Sequence, residues 1–391
     1  MQRSVGPGLR VHQLPPLRMG PMRLAADRQP QLGLDIETRR PLPVLDRRAR
    51  GAEFFQLSVT RLANPPEATG MSFWSVNPYI GCEFGCSYCY ARDTHKWTAE
   101  RNELADHDTD PRTDFERRIF VKRNAAAVLQ RTLRPDKVGN RMLLIGTATD
   151  PYQPAERRFG VTRSVLEALL GFRGLTIGIT TKSPLVARDV DLLVALSRRH
   201  RVSVSMSIIS ADPAIIRRFE PKTPLPHARL RGVRILADSG INVGLLIAPI
   251  LPGITDGWGA LGGLMAAGKE AGARRADGFA LRLAPIARAG FLPALTREYP
   301  ALADRYLRHY TRHNVGPTYH GALVQRLRTL QQIHGYPLNK FDSPPLANRR
   351  SASTPAFATT PESLFQTPDW FPSPGDSPRR LQSGTWPQPP G

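Results

Sequence analysis

The three cysteines of the chain, Cys82, Cys86 and Cys89, all lie within the stretch VNPYIGCEFGCSYCYARDTH at residues 76–95. Their C-x3-C-x2-C spacing on one loop lets three thiolates converge on a metal centre. One candidate is zinc, which would need a closed fourth ligand such as the nearby His95. The other is a [4Fe–4S] cluster, whose irons are held by thiolates, and three cysteines leave one of its irons open. An open iron is a place for substrate or cofactor chemistry.

The elements that must position this loop are short apolar runs separated by amphipathic segments. Six runs have the length of buried strands, at residues 72–80, 141–150, 174–183, 201–210, 241–250 and 277–286. Apolar residues recur at helical spacing between them, at residues 161–171, 185–200, 228–240 and 258–272. The alternation predicts parallel βαβ units in an α/β fold, as an open sheet or a partial (β/α) barrel. In either case, functional residues belong at the C-terminal strand ends.

The composition divides the chain into four segments. Residues 1–70 are rich in Pro and Arg and show little periodicity, so we expect a largely irregular segment. Residues 71–290 carry the alternating strands and helices, and residues 291–346 form a helical extension rich in basic residues, Tyr and His. Residues 347–391 are rich in Pro, Ser and Thr and poor in aliphatic side chains, which predicts a disordered tail.

The formal net charge of +21 attracts polyanions, and nucleic acid is the obvious candidate. The positive charge has an alternative explanation without a functional role. Nearly all of the basic residues are arginines, and a GC-rich genome produces such a bias. No apolar run reaches the roughly 18 residues of a membrane span, and the N-terminus lacks the apolar region of a signal peptide. The odd cysteine count fits no disulfide framework. We therefore expect a cytoplasmic monomer that does not bind membranes.

The octapeptide from Cys82 to Cys89, CEFGCSYC, resembles the signature of the radical S-adenosylmethionine (SAM) superfamily, including the aromatic Tyr88 before the last cysteine. The resemblance implies a partial (β/α)6 barrel of the TIM type, a [4Fe–4S] cluster and SAM bound at the open iron. It also implies reductive cleavage of SAM to methionine and a 5′-deoxyadenosyl radical, which abstracts hydrogen from a substrate. The electron would come from an external donor of the flavodoxin or ferredoxin type.

The resemblance extends, from about residue 70 to about residue 340, to the branch related to spore photoproduct lyase, often labelled DNA-repair-photolyase-like. The segments that carry it are GTATDPYQPAE, TKSPLVARD, MSIISAD, RFEPKTPLPHARLRGVRILADSGI and APILPGITD. It implies lyase-type chemistry and makes nucleic acid a candidate substrate. Residues 1–70 and the tail stay unexplained by it.

Matching positions imply individual roles. Lys182 and Ser207 match residues that contact SAM, and Tyr88 matches an aromatic side chain near the adenine. Tyr90 matches a tyrosine near the reaction centre, and Asp150 matches an acidic residue at the end of the second strand. The alternative is that these residues have only structural roles. Lys182 would then be a solvated loop charge, Ser207 would pair with backbone, and the two tyrosines would be ordinary core aromatics.

Two further positions bear on the reaction. Arg282, on the sixth predicted strand, is a candidate to bind a substrate phosphate or the SAM carboxylate, or else pairs with Glu220 or Asp150. Members of the lyase-like branch use an additional cysteine as hydrogen donor, and the matching residue here is Thr147. A hydroxyl hydrogen is far harder to abstract than a thiol hydrogen, so thymine-dimer repair by that route is in doubt.

Three functions follow as hypotheses. The first is a radical SAM enzyme that acts on a nucleic acid or nucleotide. The second is a radical SAM enzyme that acts on a small molecule or a protein. The third is a non-catalytic zinc- or iron–sulfur-binding protein, which would require a closed fourth ligand, with His95 as the candidate.

Overall fold

The computed structural model describes residues 43–48, 51–94 and 111–338 of the chain. Two expectations therefore fall outside the described residues, namely a role for His95 and the disordered tail at 347–391. Within the described ranges, no helix combines the length and the apolar character needed to cross a membrane.

Two sheets frame the described part of the chain. The strands are β1 (Val44–Arg47), β2 (Glu53–Leu57), β3 (Ala63–Asn64), β4 (Trp74–Val76), β5 (Tyr79–Ile80), β6 (Arg118–Lys122), β7 (Met142–Ile145), β8 (Thr176–Thr181), β9 (Arg201–Ser207), β10 (Asn242–Ile250) and β11 (Ala276–Ala280). The larger sheet has the order β11–β10–β9–β8–β7–β4–β3, and the smaller one has the order β1–β2–β6–β5.

The larger sheet confirms the predicted α/β class. Its six strands from β4 to β11 are all parallel. Five of them fall within a predicted run, and β11 begins one residue before the sixth run. Strand β3 adds to the outer edge of β4 in antiparallel orientation. Pairing among the described residues does not join β3 to β11, so the sheet is an open form of the (β/α)6 arrangement.

Helices fill the connections between the strands. They are α1 (Pro66–Thr69), α2 (Pro111–Arg117), α3 (Ala125–Thr132), α4 (Pro135–Val138), α5 (Glu156–Phe159), α6 (Val161–Leu169), α7 (Val190–Ser197), α8 (Pro213–Phe219), α9 (Pro226–Asp238), α10 (Trp258–Glu270), α11 (Pro285–Glu298), α12 (Pro300–His309) and α13 (Pro317–Ile333), with 3₁₀ helices at Tyr90–Thr94 and Pro184–Asp189. The four predicted helical segments correspond to α6, the second 3₁₀ helix with α7, α9 and α10. Helix α6 ends at Leu169 with Leu170 as its C-cap, one residue before the end of the predicted segment 161–171.

Residue alternation along β9 distinguishes the two faces of the parallel sheet. Val204 and Met206 are fully buried, and a Cβ added to Gly232 of α9 would lie 3.4 Å from the terminal methyl of Met206. Met206 therefore faces the helices. Ser205 and Ser207 point the opposite way, because successive side chains of a strand alternate between faces. We call the face that bears these serines the inner face.

The edge strand β11 contributes an exposed aromatic ring to this inner face. The Arg275 guanidinium, just before β11, donates a 2.8 Å hydrogen bond to the Ser205 hydroxyl, so Arg275 lies on the inner face. A Cβ added to Gly278 would contact Leu327 of α13 at 3.0 Å, so Gly278 faces the helices. Alternation then places Phe279 on the inner face, where its side chain is 58% exposed.

The described part of the N-terminal segment contains strands that the sequence analysis did not predict. Strands β1 and β2 pair with each other, and β2 also pairs with β6. The reason is a pair of consecutive aromatic residues that pack in different directions. Phe54 contacts Phe159 with ring centroids 5.3 Å apart, and Phe55 contacts Phe120 at 5.5 Å. The surrounding Pro and Arg residues mask this short apolar signal in the sequence.

Gly146 is the backbone position most sensitive to substitution at the end of β7. Its φ is +93°, and an added Cβ would lie 2.5 Å from the Thr180 carbonyl oxygen and 2.6 Å from Cδ of Pro151. Gly146→Ala should lower the free energy of unfolding by about 3 kcal/mol, through backbone strain and overpacking. Chemical denaturation of the purified protein measures this loss.

The matched control for this prediction is Gly263→Ala, within α10, where no atom lies within 4 Å of the added Cβ. That change should stabilise the helix by up to about 1 kcal/mol. Equal effects of the two substitutions would contradict the proposed strain at Gly146.

Candidate active site

The cysteine loop begins directly after β5 and ends at the first 3₁₀ helix. The Cys82 amide donates to the Phe115 carbonyl at 2.8 Å, and the Cys89 amide donates to the Cys86 carbonyl at 3.2 Å. Gly81 opens the loop with a φ of +84°, and an added Cβ would lie 2.9 Å from the Phe115 carbonyl oxygen. The smaller sheet and α2 therefore fix where the loop starts.

The segment after β7 contacts the first residues of the cysteine loop through two side chains. The Thr149 hydroxyl donates to the Gly81 carbonyl at 2.6 Å. The Gln153 side chain spans the same turn, since its amide nitrogen donates to Gly81 at 3.2 Å and its amide oxygen accepts from the Glu83 backbone N–H at 3.0 Å. Gln153 is fully buried, and the sequence analysis did not single it out.

Arg92 supports the loop from its C-terminal end. Its guanidinium donates to the Cys86 carbonyl at 3.1 Å and forms an ion pair with Glu116. The Lys222 ammonium reaches the other oxygen of the same carboxylate at 2.9 Å. The Ser87 backbone N–H, between two of the cysteines, donates to the Phe219 carbonyl at 2.9 Å. The loop is therefore tied to α2, α8 and the turn after α8.

The donor set of the loop consists of sulfur. Cys82 and Cys86 are buried and Cys89 is partly buried, and burial raises the pKa of all three thiols. Among the described residues, no three His, Cys, Asp or Glu side chains converge to hold a single metal ion. A cluster places each thiolate on a different iron, so its ligands do not need to converge on one point. The three thiols on this loop therefore fit a [4Fe–4S] cluster.

A buried cluster of charges lies behind the loop. Glu220, which follows α8, and Arg229, in α9, are both fully buried and form an ion pair. The Tyr88 hydroxyl donates to the same Glu220 carboxylate. Lys182, one residue after β8, places its ammonium 3.3 Å from Glu220 and 5.6 Å from the centre of the Tyr88 ring. Two cations thus share the Glu220 carboxylate, and the Asp150 carboxylate also interacts electrostatically with Lys182.

Lys182 and Ser207 meet at the ends of adjacent strands. The Lys182 ammonium donates to the Ser207 hydroxyl at 2.7 Å, and that hydroxyl lies 3.3 Å from the Ala248 carbonyl. Arg229 donates to the Ser207 backbone carbonyl at 2.8 Å, which fixes the end of β9. The structure therefore brings together Tyr88, Lys182 and Ser207, three of the four residues predicted to bind the cofactor.

Asp150 lies beside this group as a hydrogen-bond acceptor. Its carboxylate accepts from the Thr181 hydroxyl at 2.6 Å, from the Lys182 backbone N–H at 2.7 Å and from the Tyr152 backbone N–H at 2.9 Å. Burial raises the pKa of this carboxyl group, and the hydrogen bonds oppose the rise. The geometry connects the ends of β7 and β8, so Asp150 positions Lys182 whatever further role it has.

Tyr90 and Thr147 are adjacent on the open side of the site. The Tyr90 hydroxyl donates to the Thr147 carbonyl, and the tyrosine side chain is half-exposed. The Thr147 hydroxyl lies 2.6 Å from the Ser75 hydroxyl and accepts from the Asn77 amide at 3.0 Å. The side chain at the expected donor-cysteine position therefore connects β4 with the end of β7.

Among the described residues, no recorded hydrogen bond or ion pair joins Arg282 to Tyr88, Lys182 or Ser207. The Arg282 backbone forms an isolated antiparallel bridge with Asn314, and its side chain is exposed. Within the described residues, the recorded partners of the Glu220 carboxylate are Tyr88, Lys182, Thr223 and Arg229, so the alternative pairing of Arg282 with Glu220 is not observed.

Glu220 and Arg229 are functional candidates that the sequence analysis missed. The signal was present in α9, where the buried positions Pro226, Arg229, Val233 and Leu236 follow helical spacing. An arginine on the apolar stripe of a helix needs a buried partner. The sequence could not name Glu220 as that partner, because their pairing depends on how the turn before α9 folds.

The comparisons with known proteins agree with this geometry. The model of the radical SAM superfamily matches residues 76–259, which span the cysteine loop, Lys182, Ser207 and the buried charges. An uncharacterized protein of Mycobacterium tuberculosis is 34% identical over 305 residues, which cover 78% of this chain and 86% of that protein. The chain belongs to the radical SAM superfamily. It is therefore an enzyme, and the hypothesis of a non-catalytic metal-binding protein is set aside.

Further similarities extend to an archaeon and to solved structures. An uncharacterized protein of Methanocaldococcus jannaschii is 27% identical to this chain over 208 residues, which cover 52% of this chain and 70% of that protein. A mutant of spore photoproduct lyase with bound AdoMet and dinucleoside spore photoproduct has a TM-score of 0.47 at 16% identity, covering 67% of this chain and 74% of that chain.

The buried ion cluster makes the radical SAM enzyme sensitive to loss of its one carboxylate. Glu220→Gln leaves the fully buried Arg229 without its ion-pair partner and removes one of the anions near Lys182, so the free energy of unfolding should fall by about 3–5 kcal/mol. Denaturant unfolding measures this loss. The matched control is Glu167→Gln, which removes an exposed pair with Arg163 and should cost less than about 0.5 kcal/mol. Similar losses in both variants would contradict the role of Glu220.

The same carboxylate should give the enzyme a specific acid sensitivity. Burial alone would raise the pKa of Glu220, but the charges of Lys182 and Arg229 outweigh burial and hold the pKa at about 2, below its ordinary 4.5. A lowered pKa stabilises the fold above the ordinary value, and this contribution is lost as the pH falls from about 4.5 to about 2. Unfolding of Glu220→Gln should therefore depend less on pH in this range. An unchanged pH dependence would argue against the ion cluster.

Proposed function

We propose that the protein cleaves SAM reductively at a [4Fe–4S] cluster held by Cys82, Cys86 and Cys89, and uses the resulting 5′-deoxyadenosyl radical on a substrate. The observation that carries this proposal is the contact between Lys182 and Ser207 at adjacent strand ends, joined to the cysteine loop through Glu220 and Tyr88. The bound cofactors supply the radical chemistry, and the protein supplies orientation and charge.

Each residue around the cluster has a physical role in this proposal. The ammonium of Lys182 attracts the SAM carboxylate, because it is a hydrogen-bond donor of opposite charge that lies beside the cysteine loop and contacts Ser207. The Ser207 hydroxyl offers a further hydrogen bond from the inner face. The Tyr88 ring, fixed by its hydroxyl, covers the base of the loop. Asp150 holds the Lys182 backbone in place, and the half-exposed Tyr90 ring borders the substrate space.

A nucleic acid is the substrate class that the surface features favour. The net charge of +21 attracts a polyanion, and Phe279 presents an exposed ring on the inner face. Ser207 is level with Asp277 across β10, and Phe279 lies two residues further along β11. Two strand spacings and two residue rises place Phe279 about 12 Å from Ser207. An exposed aromatic ring offers a stacking surface for a base. The exposed Arg282, three residues further along, could then contact a phosphate.

A second substrate class is favoured by Thr147. In the lyase-like branch this position carries the hydrogen-donating cysteine, and here the hydroxyl is engaged with Ser75 and Asn77. The radical chemistry therefore ends differently, either in a product that needs no thiol donor or on a small molecule or protein substrate. Nucleic acid binding separates these two candidates.

Formation of 5′-deoxyadenosine tests the reaction class. After anaerobic reconstitution with iron and sulfide, the wild-type enzyme reduced with dithionite should convert SAM to 5′-deoxyadenosine, detected by mass spectrometry. Cys86→Ala should abolish the product because the cluster loses a ligand. Lys182→Met should weaken SAM binding by roughly 10- to 100-fold, as expected for loss of a charge-assisted hydrogen bond.

The matched control for Lys182→Met is Lys269→Met, an exposed lysine on α10 that should leave SAM binding unchanged. Binding of one zinc and no iron by the wild-type protein would contradict the reaction class. Equal SAM affinity in both lysine variants would contradict the role of Lys182.

Oligonucleotide binding tests the substrate class. A fluorescent single-stranded oligonucleotide should bind the enzyme in a salt-dependent manner, and Phe279→Ala should weaken binding by about tenfold through loss of one stacked base. Fluorescence anisotropy measures the affinity. The control is Ile333→Ala at the end of α13, an equally exposed apolar side chain at 65%. Equal affinity in both variants, or no binding at all, would favour a small-molecule or protein substrate.

A further inference from the structure

The outer side of the cysteine loop rests directly on α8 and α11. Ser87, between Cys86 and Cys89, donates its backbone N–H to the Phe219 carbonyl at 2.9 Å, and its hydroxyl lies 3.3 Å from the same oxygen. A Cβ added to Gly290 of α11 would lie 2.8 Å from the Ser87 carbonyl oxygen, so the two backbones are in close contact. Ser87 therefore connects the segment between Cys86 and Cys89 directly with Phe219, the last residue of α8.

Aromatic rings continue from this contact to the surface. The Phe219 ring stacks on the Tyr299 ring with centroids 5.9 Å apart and on the Phe291 ring at 5.5 Å. Tyr299 is partly exposed, and the exposed Arg218 guanidinium lies 5.3 Å from the centre of its ring and donates to its hydroxyl at 2.8 Å. One buried ring and one partly exposed ring therefore connect the Ser87 contact with solvent.

The surface around Tyr299 carries an excess of positive charge. We call Arg217, Arg218, Lys222, Arg297 and Tyr299 the docking face. All four basic side chains are exposed. Three carboxylates accompany them, Glu298 beside Arg218 and Arg297, Asp212 near Arg218, and Glu116 beside Lys222. Four cations against three anions leave the docking face with one net positive charge.

We propose that the docking face binds a small acidic protein that carries one electron, of the flavodoxin or ferredoxin type. This inference rests on the proposed function, in which the cluster receives an electron from outside. The donor gives up one electron and the cluster gains one, with no proton or bond transferred. The inner face is occupied by SAM and substrate during the reaction, so the donor approaches from the opposite side of the loop.

The charge of the docking face suits such a partner. Complementary charges mainly accelerate association and set its salt dependence, which a transient electron carrier requires. Electron-transfer encounters use small interfaces that dissociate readily. The aromatic contact at Tyr299 lies within this patch, so a donor docked on it comes close to the cysteine loop.

Stopped-flow reduction of the reconstituted enzyme tests the docking face. The test variant is Arg218→Glu with Arg297→Glu, and the readout is bleaching of the cluster absorbance by pre-reduced flavodoxin or by dithionite. At low salt, reduction by flavodoxin should slow by about tenfold or more, the effect should shrink as salt rises, and dithionite reduction should be unchanged. Arg218→Lys with Arg297→Lys should keep the wild-type rates.

The matched control is Arg173→Glu with Arg198→Glu, the same charge change at exposed arginines that precede β8 and β9, at the opposite end of the strands. The rate at which flavodoxin reduces this variant should change less than about twofold.

Equal slowing in both reversal variants, or no slowing in either, overturns the docking face while dithionite-driven 5′-deoxyadenosine formation still supports the proposed function. A wild-type cluster that dithionite reduces and neither flavodoxin nor ferredoxin reduces also overturns it. Failure of dithionite to produce 5′-deoxyadenosine overturns the proposed function itself.

Discussion

The buried contact of Glu220 with Arg229 and Lys182 is the constraint on which the rest of the site depends. Moving a carboxylate and a guanidinium from water into the interior costs several kcal/mol for each ion, and only mutual attraction with further hydrogen bonds offsets this cost. The protein meets that condition with the Tyr88 hydroxyl and the Ser207 backbone carbonyl as additional partners. A well-packed apolar group would stabilise the fold as well or better, so the charges are better explained by what they position.

These contacts join elements that are distant in the sequence. Tyr88 belongs to the cysteine loop, Lys182 follows β8, Ser207 ends β9 and Arg229 lies in α9. A single carboxylate thus sets the distance between the thiols and the strand ends where SAM would bind. Strand alternation does the complementary task, because it sends the bulky residues of β9 to the helices and leaves its serines on the inner face. The result is an inner face that is polar near the loop and aromatic at the outer strand.

The sequence was most informative where a local pattern determines the structure. The six parallel strands were predictable because each is a short apolar run between helical segments, and the cysteines were predictable from their spacing. Lys182 and Ser207 were singled out because the resemblance matches them to SAM-contacting residues, and both lie at strand ends in the structure. The strands β1 and β2 were missed because two consecutive phenylalanines gave little periodicity. Pairs such as Glu220 with Arg229 depend on tertiary geometry that no local pattern contains.

The most direct test of the central claim is spectroscopic. The reconstituted enzyme is reduced in the presence of SAM labelled with ¹⁵N in the amino group and ¹⁷O in the carboxylate, and examined by electron–nuclear double resonance. We expect hyperfine coupling of the cluster to both labels, because the proposed function places the amino group and the carboxylate of SAM on the fourth iron, beside Lys182 and Ser207. A reduced cluster without coupling to either label would contradict SAM binding at this loop.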